Sequence, residues 1–102
     1  MSRRYVLAPQ AALDLVDIWR YIRQDRGVAM ADRVESVIRN KIRFLASHPG
    51  VGHLRRDLTD LPVKFFTVYS FLIVYRAETA PLQVVSIIHA HRDVKAVLED
   101  RM

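Results

Sequence analysis

The stretch "VVSIIHAHRDV", residues 84–94, holds the side chains of this chain that are best suited to chemistry. Two histidines, an arginine and an aspartate follow its apolar half. Histidine exchanges a proton near neutral pH, and arginine stabilises the charge of a phosphate. Together with two cations elsewhere in the chain, these groups could act as acid, base and anion site in phosphodiester cleavage. The candidate catalytic residues for that reaction are Lys64, Arg76, His89, His91 and Arg92.

The same histidines have two other interpretations. Their His-x-His spacing places both rings on the strand face that carries Val85 and Ile87, and such a pair could hold a metal ion. A metal site needs a third ligand, however, and His48 and His53 lie in a different segment, so we predict no metal site and no cofactor. In the other interpretation the histidines are not catalytic: the last strand is buried, and the polar residues at its end are structural or contact a binding partner. The target-contacting residues would then be His91 and Arg92.

Length and composition limit the number of domains and the kind of protein to which these residues belong. A chain of 102 residues is long enough for one core and too short for two, so we predict a single domain over residues 1–102. Cysteine is absent, which excludes disulfides and thiolate chemistry and suits a reducing compartment. No apolar run approaches the roughly 20 residues that a membrane-spanning helix needs. We therefore expect a cytoplasmic protein without a membrane partner.

The first half of the chain has the spacing of two amphipathic helices. Pro9 suits the first turn of a helix, and Gly27 ends the first apolar stripe, with Asp14 assigned to the polar face. A second stripe follows at once and stops at the "SHPG" of residues 47–50. A link as short as residues 26–29 makes the two helices an αα-hairpin. The stripes consist of Ala11, Leu15, Ile18, Trp19 and Ile22, and of Ala31, Val34, Ile38, Ile42 and Leu45.

The second half of the chain is rich in β-branched and aromatic residues, which favour strands. Three runs, residues 63–69, 71–77 and 82–91, are separated by short turns, so neighbouring strands are antiparallel. Residues 5–7 predict a further short strand, and Asp93 is a good N-cap for a short terminal helix. The predicted fold class is α+β, with an N-terminal strand, an αα-hairpin, a three-stranded antiparallel meander and a C-terminal helix. We expect the helices to cover one face of the sheet.

The charge of the chain is unevenly distributed. The net charge is +5, and residues 1–56 contain 11 of the 16 Lys and Arg but only five of the 11 acids. An excess of exposed cations favours a polyanionic partner, either nucleic acid or an acidic protein segment. A nucleic-acid-binding module is therefore one hypothesis, although "RVESVIRNKIRF" carries basic residues without an obvious reading motif.

Four motifs follow one another along the chain. They are A-x-x-D-L-x-x-I-W-x-Y-I at residues 11–22, H-P-G-x-G at 48–52, Val-Tyr-Arg at 74–76 and I-I-H-x-x-R-D at 87–93. No single motif is specific, but the ordered set resembles the ParE branch of the RelE/ParE toxin superfamily over nearly the whole chain. The resemblance implies the toxin of a type II toxin–antitoxin system. Such a toxin inhibits DNA gyrase, blocks replication and is neutralised in a hetero-oligomer by a ParD-like antitoxin.

In that case the protein is an inhibitor and not an enzyme. The sister branch, similar to RelE and YoeB, implies the alternative of a ribosome-dependent mRNA endoribonuclease. Those ribonucleases usually carry a tyrosine or a His-Tyr pair near the C-terminus, whereas no tyrosine follows Tyr75 here, and this departure favours the gyrase inhibitor. The ribonuclease alternative stays open because His89 or His91 could stand in as the general acid.

A basic domain with an exposed helical hairpin and a free sheet edge offers an acidic, partly disordered antitoxin two ways to bind. The antitoxin can lay a helix in an apolar groove or add a strand to the edge. The residues expected to bind it are Arg20, Tyr21, Arg23, Arg55 and Arg56.

Overall fold

The computed structural model of the chain describes residues 4–101. Within these residues the strands are β1 (Tyr5–Leu7), β2 (Lys64–Val68), β3 (Phe71–Arg76) and β4 (Leu82–His89). The helices are α1 (Pro9–Arg26), α2 (Val28–Ser47) and α3 (Val94–Arg101), with a short 3₁₀ turn at Pro49–Val51. Strand, two helices, three strands and a final helix follow one another in the predicted order. The predicted α+β fold is therefore confirmed.

Helices α1 and α2 form the predicted hairpin, with one residue between them. Gly27 ends α1 and begins α2 at a φ of 91°, a conformation that glycine adopts without strain. The predicted stripe of α2 is buried throughout. Trp19 of α1 is only half-buried, and its Nε1 donates to the carboxylate of Asp32 in α2 at 2.8 Å, so it joins the helices instead of filling the core. No helix of the described chain has the length and apolar character needed to cross a membrane.

The four strands form one sheet in the order β1-β4-β3-β2. Strand β3 pairs antiparallel with β2 and β4, which confirms the meander, and a tight turn at Tyr69 and Ser70 joins β2 to β3. Strand β1 lies parallel to β4, because the helical hairpin supplies the long crossover that a parallel pair requires. Strand β4 ends at His89, two residues before the end predicted from the sequence, since the chain turns at Ala90 and His91.

A β-bulge in β4 changes which residues share a face of the sheet. The register between β3 and β4 shifts at Val85, which has no partner opposite it. Val84 and Ile87 therefore both face the helical hairpin, whereas Val85 packs on the other side. The sequence-based assignment of Val85 and Ile87 to one face was wrong, because strict alternation holds only in an unbroken ladder.

Both faces of the sheet are covered, each by its own apolar cluster. Helices α1 and α2 pack against Val68, Ile73 and Tyr75 on one face. Helix α3 packs on the opposite face through Val94 and Leu98. The helical hairpin covers one face of the sheet as predicted, whereas α3 covers the other, because its apolar residues need their own surface and β3 is buried on both sides.

A hydrogen-bonded junction joins two of the sequence motifs, H-P-G-x-G and Val-Tyr-Arg. The side chain of Tyr75 is fully buried, and its hydroxyl donates to the carbonyl of Pro49 at 2.8 Å. The same hydroxyl accepts from the backbone N–H of Gly52 at 2.9 Å. Burial raises the pKa of the Tyr75 phenol, and the hydrogen bond from Gly52 opposes that shift. The junction therefore favours the neutral phenol and fixes the end of α2 against the sheet.

We expect the stability of the protein to fall in alkaline solution through Tyr75. Because the pKa is higher in the folded than in the unfolded chain, the native state binds the proton more tightly. The contribution of Tyr75 to the free energy of unfolding is complete below its pKa of about 10 in the unfolded chain. It is lost as the pH rises through the higher pKa of the folded chain. Urea denaturation of the wild type and of Tyr75→Phe from pH 8 to pH 11 tests this. The loss with pH should be shallower in the variant, and parallel curves would contradict it.

The outer edge of β2 is partly closed by the preceding loop. The N–H of His53 donates to the carbonyl of Phe65 at 2.9 Å, and the N–H of Phe65 donates back to His53 at 2.8 Å. Since backbone groups alternate in direction along a strand, Thr67 is the position of β2 that still offers its N–H and C=O outward. The free sheet edge inferred from the sequence is thus short at β2, and a partner strand would have to displace the loop to gain more.

Candidate functional site

The polar exit of β4 is a compact cluster of rings. His89 is half-buried and contacts the ring of Phe71 edge-on, with centroids 5.2 Å apart. The ring of His91 lies 4.9 Å from that of His89. The backbone N–H of His91 donates to Nδ1 of His89 at 3.1 Å, so the neutral imidazole of His89 carries its hydrogen on Nε2. The turn that follows β4, and not a shared strand face, brings the two histidines together.

The other proposed catalytic residues lie at the far end of the sheet. His89 pairs with Phe71 at the first residue of β3, whereas Arg76 is the last residue of that strand. Five steps along a strand at about 3.3 Å each separate the two ends by roughly 17 Å. Lys64 pairs with Tyr75, one residue away from Arg76, so the two cations point to opposite faces. Of the five residues of the ribonuclease hypothesis, His89, His91 and Arg92 therefore lie at one end of the sheet, and Lys64 and Arg76 are not brought to them.

Beside the histidine cluster, two exposed tyrosines flank a groove of about 290 Å³. The side chain of Tyr21 in α1 is 68% exposed, and that of Tyr69 in the β2–β3 turn is 59% exposed. The floor of the groove is apolar and consists of Ile22, Met30, Val34 and Phe71. A neighbouring cleft of about 390 Å³ shares Tyr21, Phe71 and His89 with the groove and extends to Arg92 and Arg101. The two depressions form one continuous surface along α1.

A buried ion pair closes the end of this cleft. The guanidinium of Arg101 donates to both carboxylate oxygens of Asp14, at 2.7 and 2.9 Å. Asp14 also accepts the backbone N–H of Ile87 at 2.9 Å, at a point where β1 no longer pairs with β4. Arg101 reaches Ser86 as well, at 3.2 Å. One carboxylate therefore ties α1, β4 and α3 together.

Sequence reasoning missed this network because it placed Asp14 on the polar face of α1. Asp14 lies three residues after Ala11 and four before Ile18, within the buried stripe, and its residue is 6% exposed. A carboxylate on an apolar stripe needs a buried partner, which is the signal that could have revealed it. Nothing in the sequence indicated that Arg101 is that partner, because Asp14 and Arg101 are 87 positions apart.

The residues expected to bind the antitoxin fall into two separate groups. Arg20, Tyr21 and Arg23 are exposed on α1. Arg23 lies over the ring of Trp19, with its guanidinium carbon 5.4 Å from the ring centroid. Arg55 and Arg56 lie in the loop before β2 and line clefts beside α3, on the other side of the sheet. A partner that contacts both groups must wrap around the domain.

Arg55 is already engaged by a neighbouring carboxylate. Its Nε and one terminal nitrogen donate to the two oxygens of Asp57 at 3.0 and 2.9 Å. These hydrogen bonds raise the pKa of Arg55 and lower the pKa of Asp57. An acidic partner must therefore compete with Asp57 at this position.

Within the described residues, no group of three or more His, Asp or Glu is arranged to hold a metal ion.

The fold is that of a small α+β protein with a four-stranded sheet, and a groove and a cleft lie along α1. A solved structure with the same fold is the chromosomal ParDE toxin–antitoxin system from P. aeruginosa. The TM-score is 0.72 at 19% identity, over 88% of this chain and 98% of that one. No curated protein sequence matches the chain.

The family model for the ParE toxin of type II toxin–antitoxin systems, parDE, matches residues 5–94. The chain belongs to this family, as the ordered motifs predicted. It is accordingly a ParE toxin of the parDE type.

Proposed function

We propose that this ParE toxin inhibits DNA gyrase, blocks replication and is neutralised by a ParD-like antitoxin in a hetero-oligomer. The observation that supports an inhibitor over a ribonuclease is the separation of two proposed catalytic cations from the two histidines. His89 and His91 lie at one end of the sheet, and Lys64 and Arg76 lie at the other, on opposite faces. A phosphodiester cannot contact both ends at once, so Lys64 and Arg76 cannot assist the histidines, and Arg92 is the one proposed catalytic cation that lines the same cleft as His89.

The antitoxin surface that we propose consists of the two exposed arginine groups. Arg20, Tyr21 and Arg23 offer a helix face, and Arg55 and Arg56 offer cations on the opposite side of the sheet. A partly disordered acidic segment is suited to this layout because it can wrap a larger surface than a rigid domain of the same length. With His53 closing part of the β2 edge, we expect helix-in-groove contacts to contribute more than strand addition.

Two reactions run in parallel test the target. We expect the purified protein to abolish gyrase supercoiling of relaxed plasmid and to accumulate cleaved DNA, while messenger RNA on translating ribosomes stays intact. Arg92→Ala should weaken gyrase inhibition because the exposed guanidinium is a proposed contact with the target. Lys41→Ala removes an exposed cation on α2 and serves as the matched control.

Other results of the same experiment identify the alternative. Cut message with normal supercoiling would make the protein a ribosome-dependent endoribonuclease and would bring His89, His91 and Arg92 into its catalytic site. Addition of the ParD-like antitoxin should restore supercoiling and shift the toxin to a larger species in size-exclusion chromatography. If a ParD-like antitoxin bound without restoring supercoiling, the proposed mode of neutralisation would be wrong.

A further inference from the structure

Tyr69 has a backbone conformation that its residue type disfavours. Its φ is 54°, and among the described residues no other residue except glycine has a positive φ. Bulky side chains rarely adopt this conformation, and the two-residue turn between β2 and β3 favours Gly, Asn or Asp there. The Tyr69 side chain is nevertheless 59% exposed, so it buries little apolar surface in return. A strained residue that gains little for the fold indicates a use outside the fold.

The surroundings of Tyr69 indicate what that use is. Tyr69 lines the apolar groove together with the exposed Tyr21. Exposed tyrosines beside an apolar floor are typical of protein-binding hot spots, since each offers a large rigid surface with few rotatable bonds. Along α1 the groove is continuous with the cleft that the exposed Arg92 also lines. No carboxylate within the described residues pairs with Arg92 at salt-bridge distance.

We propose that the groove between Tyr21 and Tyr69 is the docking site for the target protein. This inference rests on the proposed function and adds the chemistry of the contact. The target segment places an apolar side chain between the two rings, above Phe71, and a carboxylate against Arg92. The apolar floor favours an aliphatic or aromatic side chain over the polar edge of a nucleotide. The free cation at one end and the net charge of +5 complement an acidic flank.

The test separates strain from binding at one residue. Tyr69→Gly removes the ring and also relieves the turn, so its melting temperature should equal or exceed that of the wild type. Its concentration for half-inhibition of gyrase should rise at least about tenfold, as for loss of a hot-spot aromatic. Tyr69→Phe keeps the ring and the strain and should inhibit like the wild type. Leu13→Ala, which truncates an exposed apolar residue elsewhere on α1, is the matched control.

Antitoxin affinity and growth arrest in cells complete the experiment. Loss of growth arrest by Tyr69→Gly, with antitoxin affinity unchanged, supports the assignment whatever the target is. If the wild type arrests growth but leaves gyrase active, the proposed target is wrong while the docking site is still tested. Weaker antitoxin binding with unchanged toxicity would overturn the assignment to the target. So would unchanged toxicity, or a change in self-association that assigns the groove to a second copy of the chain.

Discussion

Replacement of Arg101 by methionine is expected to lower the free energy of unfolding by about 3 to 5 kcal/mol, although the residue is the last that the structure describes. The reason is the carboxylate that remains. The side chain of Asp14 is 6% exposed and that of Arg101 is 17% exposed, so water screens their pair weakly. Without Arg101, the carboxyl group of Asp14 is left in a buried place with the N–H of Ile87 as its strongest remaining partner. Methionine retains the apolar stem, so the loss reports the charge and not the packing.

Urea denaturation at pH 7 measures this effect. The control is Arg55→Met, which breaks a bidentate pair of similar geometry whose side chains are 44% and 63% exposed. We expect that change to have a much smaller effect than Arg101→Met, because exposed ion pairs are screened by water.

A second variant tests whether the residual charge causes the loss. Asp14→Asn added to Arg101→Met removes the carboxylate but keeps an oxygen that can accept from Ile87. We expect the double variant to regain part of the lost stability. If it were less stable than Arg101→Met alone, the buried charge would not be the cause.

Gly52→Ala should destabilise the fold by about 3 kcal/mol, through overpacking and a broken hydrogen-bond junction. A Cβ at this position would collide with the hydroxyl of Tyr75 and would lie 3.0 Å from the backbone carbonyl of Phe65. Neither neighbour can retreat. Tyr75 is fully buried, and the carbonyl of Phe65 is held by the N–H of His53. The hydroxyl of Tyr75 would lose its bond from Gly52 and strain its bond to Pro49.

Thermal and urea denaturation test this prediction with a control from the same motif. Gly50→Ala places its Cβ in open space, with nothing within 4 Å, and should change the free energy of unfolding by less than about 1 kcal/mol. Combining Gly52→Ala with Tyr75→Phe removes the hydroxyl that collides, so it should recover part of the loss. Equal destabilisation by Gly50→Ala and Gly52→Ala would show that backbone freedom, and not the contact with Tyr75, explains the glycines of the motif.

The sequence determined the elements of this protein because each depends on neighbours in the chain. The apolar period of α2, the stop at residues 47–50 and the single glycine between the helices are local signals. The same holds for Asp93, whose carboxylate accepts the N–H of Ala96 at 3.1 Å as the predicted N-cap of α3. Short turns between β-branched runs were sufficient for the antiparallel meander. The ordered motifs carried the family, which the match over residues 5–94 confirms.

The candidate site was only partly accessible to the sequence. The proximity of His89 and His91 was predicted correctly for a wrong reason, since a turn and not a shared strand face joins them. Lys64 and Arg76 were included among the candidate catalytic residues only because of their residue type. Residue type says what a side chain can do, whereas strand register decides which side chains meet, and the register here separates them by the length of β3.

Only the tertiary structure decided the features that depend on contacts distant in the chain. These are the pairing of Asp14 with Arg101, the bulge at Val85, the packing of α3 on the second face and the approach of Gly52 to Tyr75. Each joins segments whose local patterns are compatible with several partners. The choice among partners is made by burial of the whole core, where a charge must be paired and every apolar face must be covered.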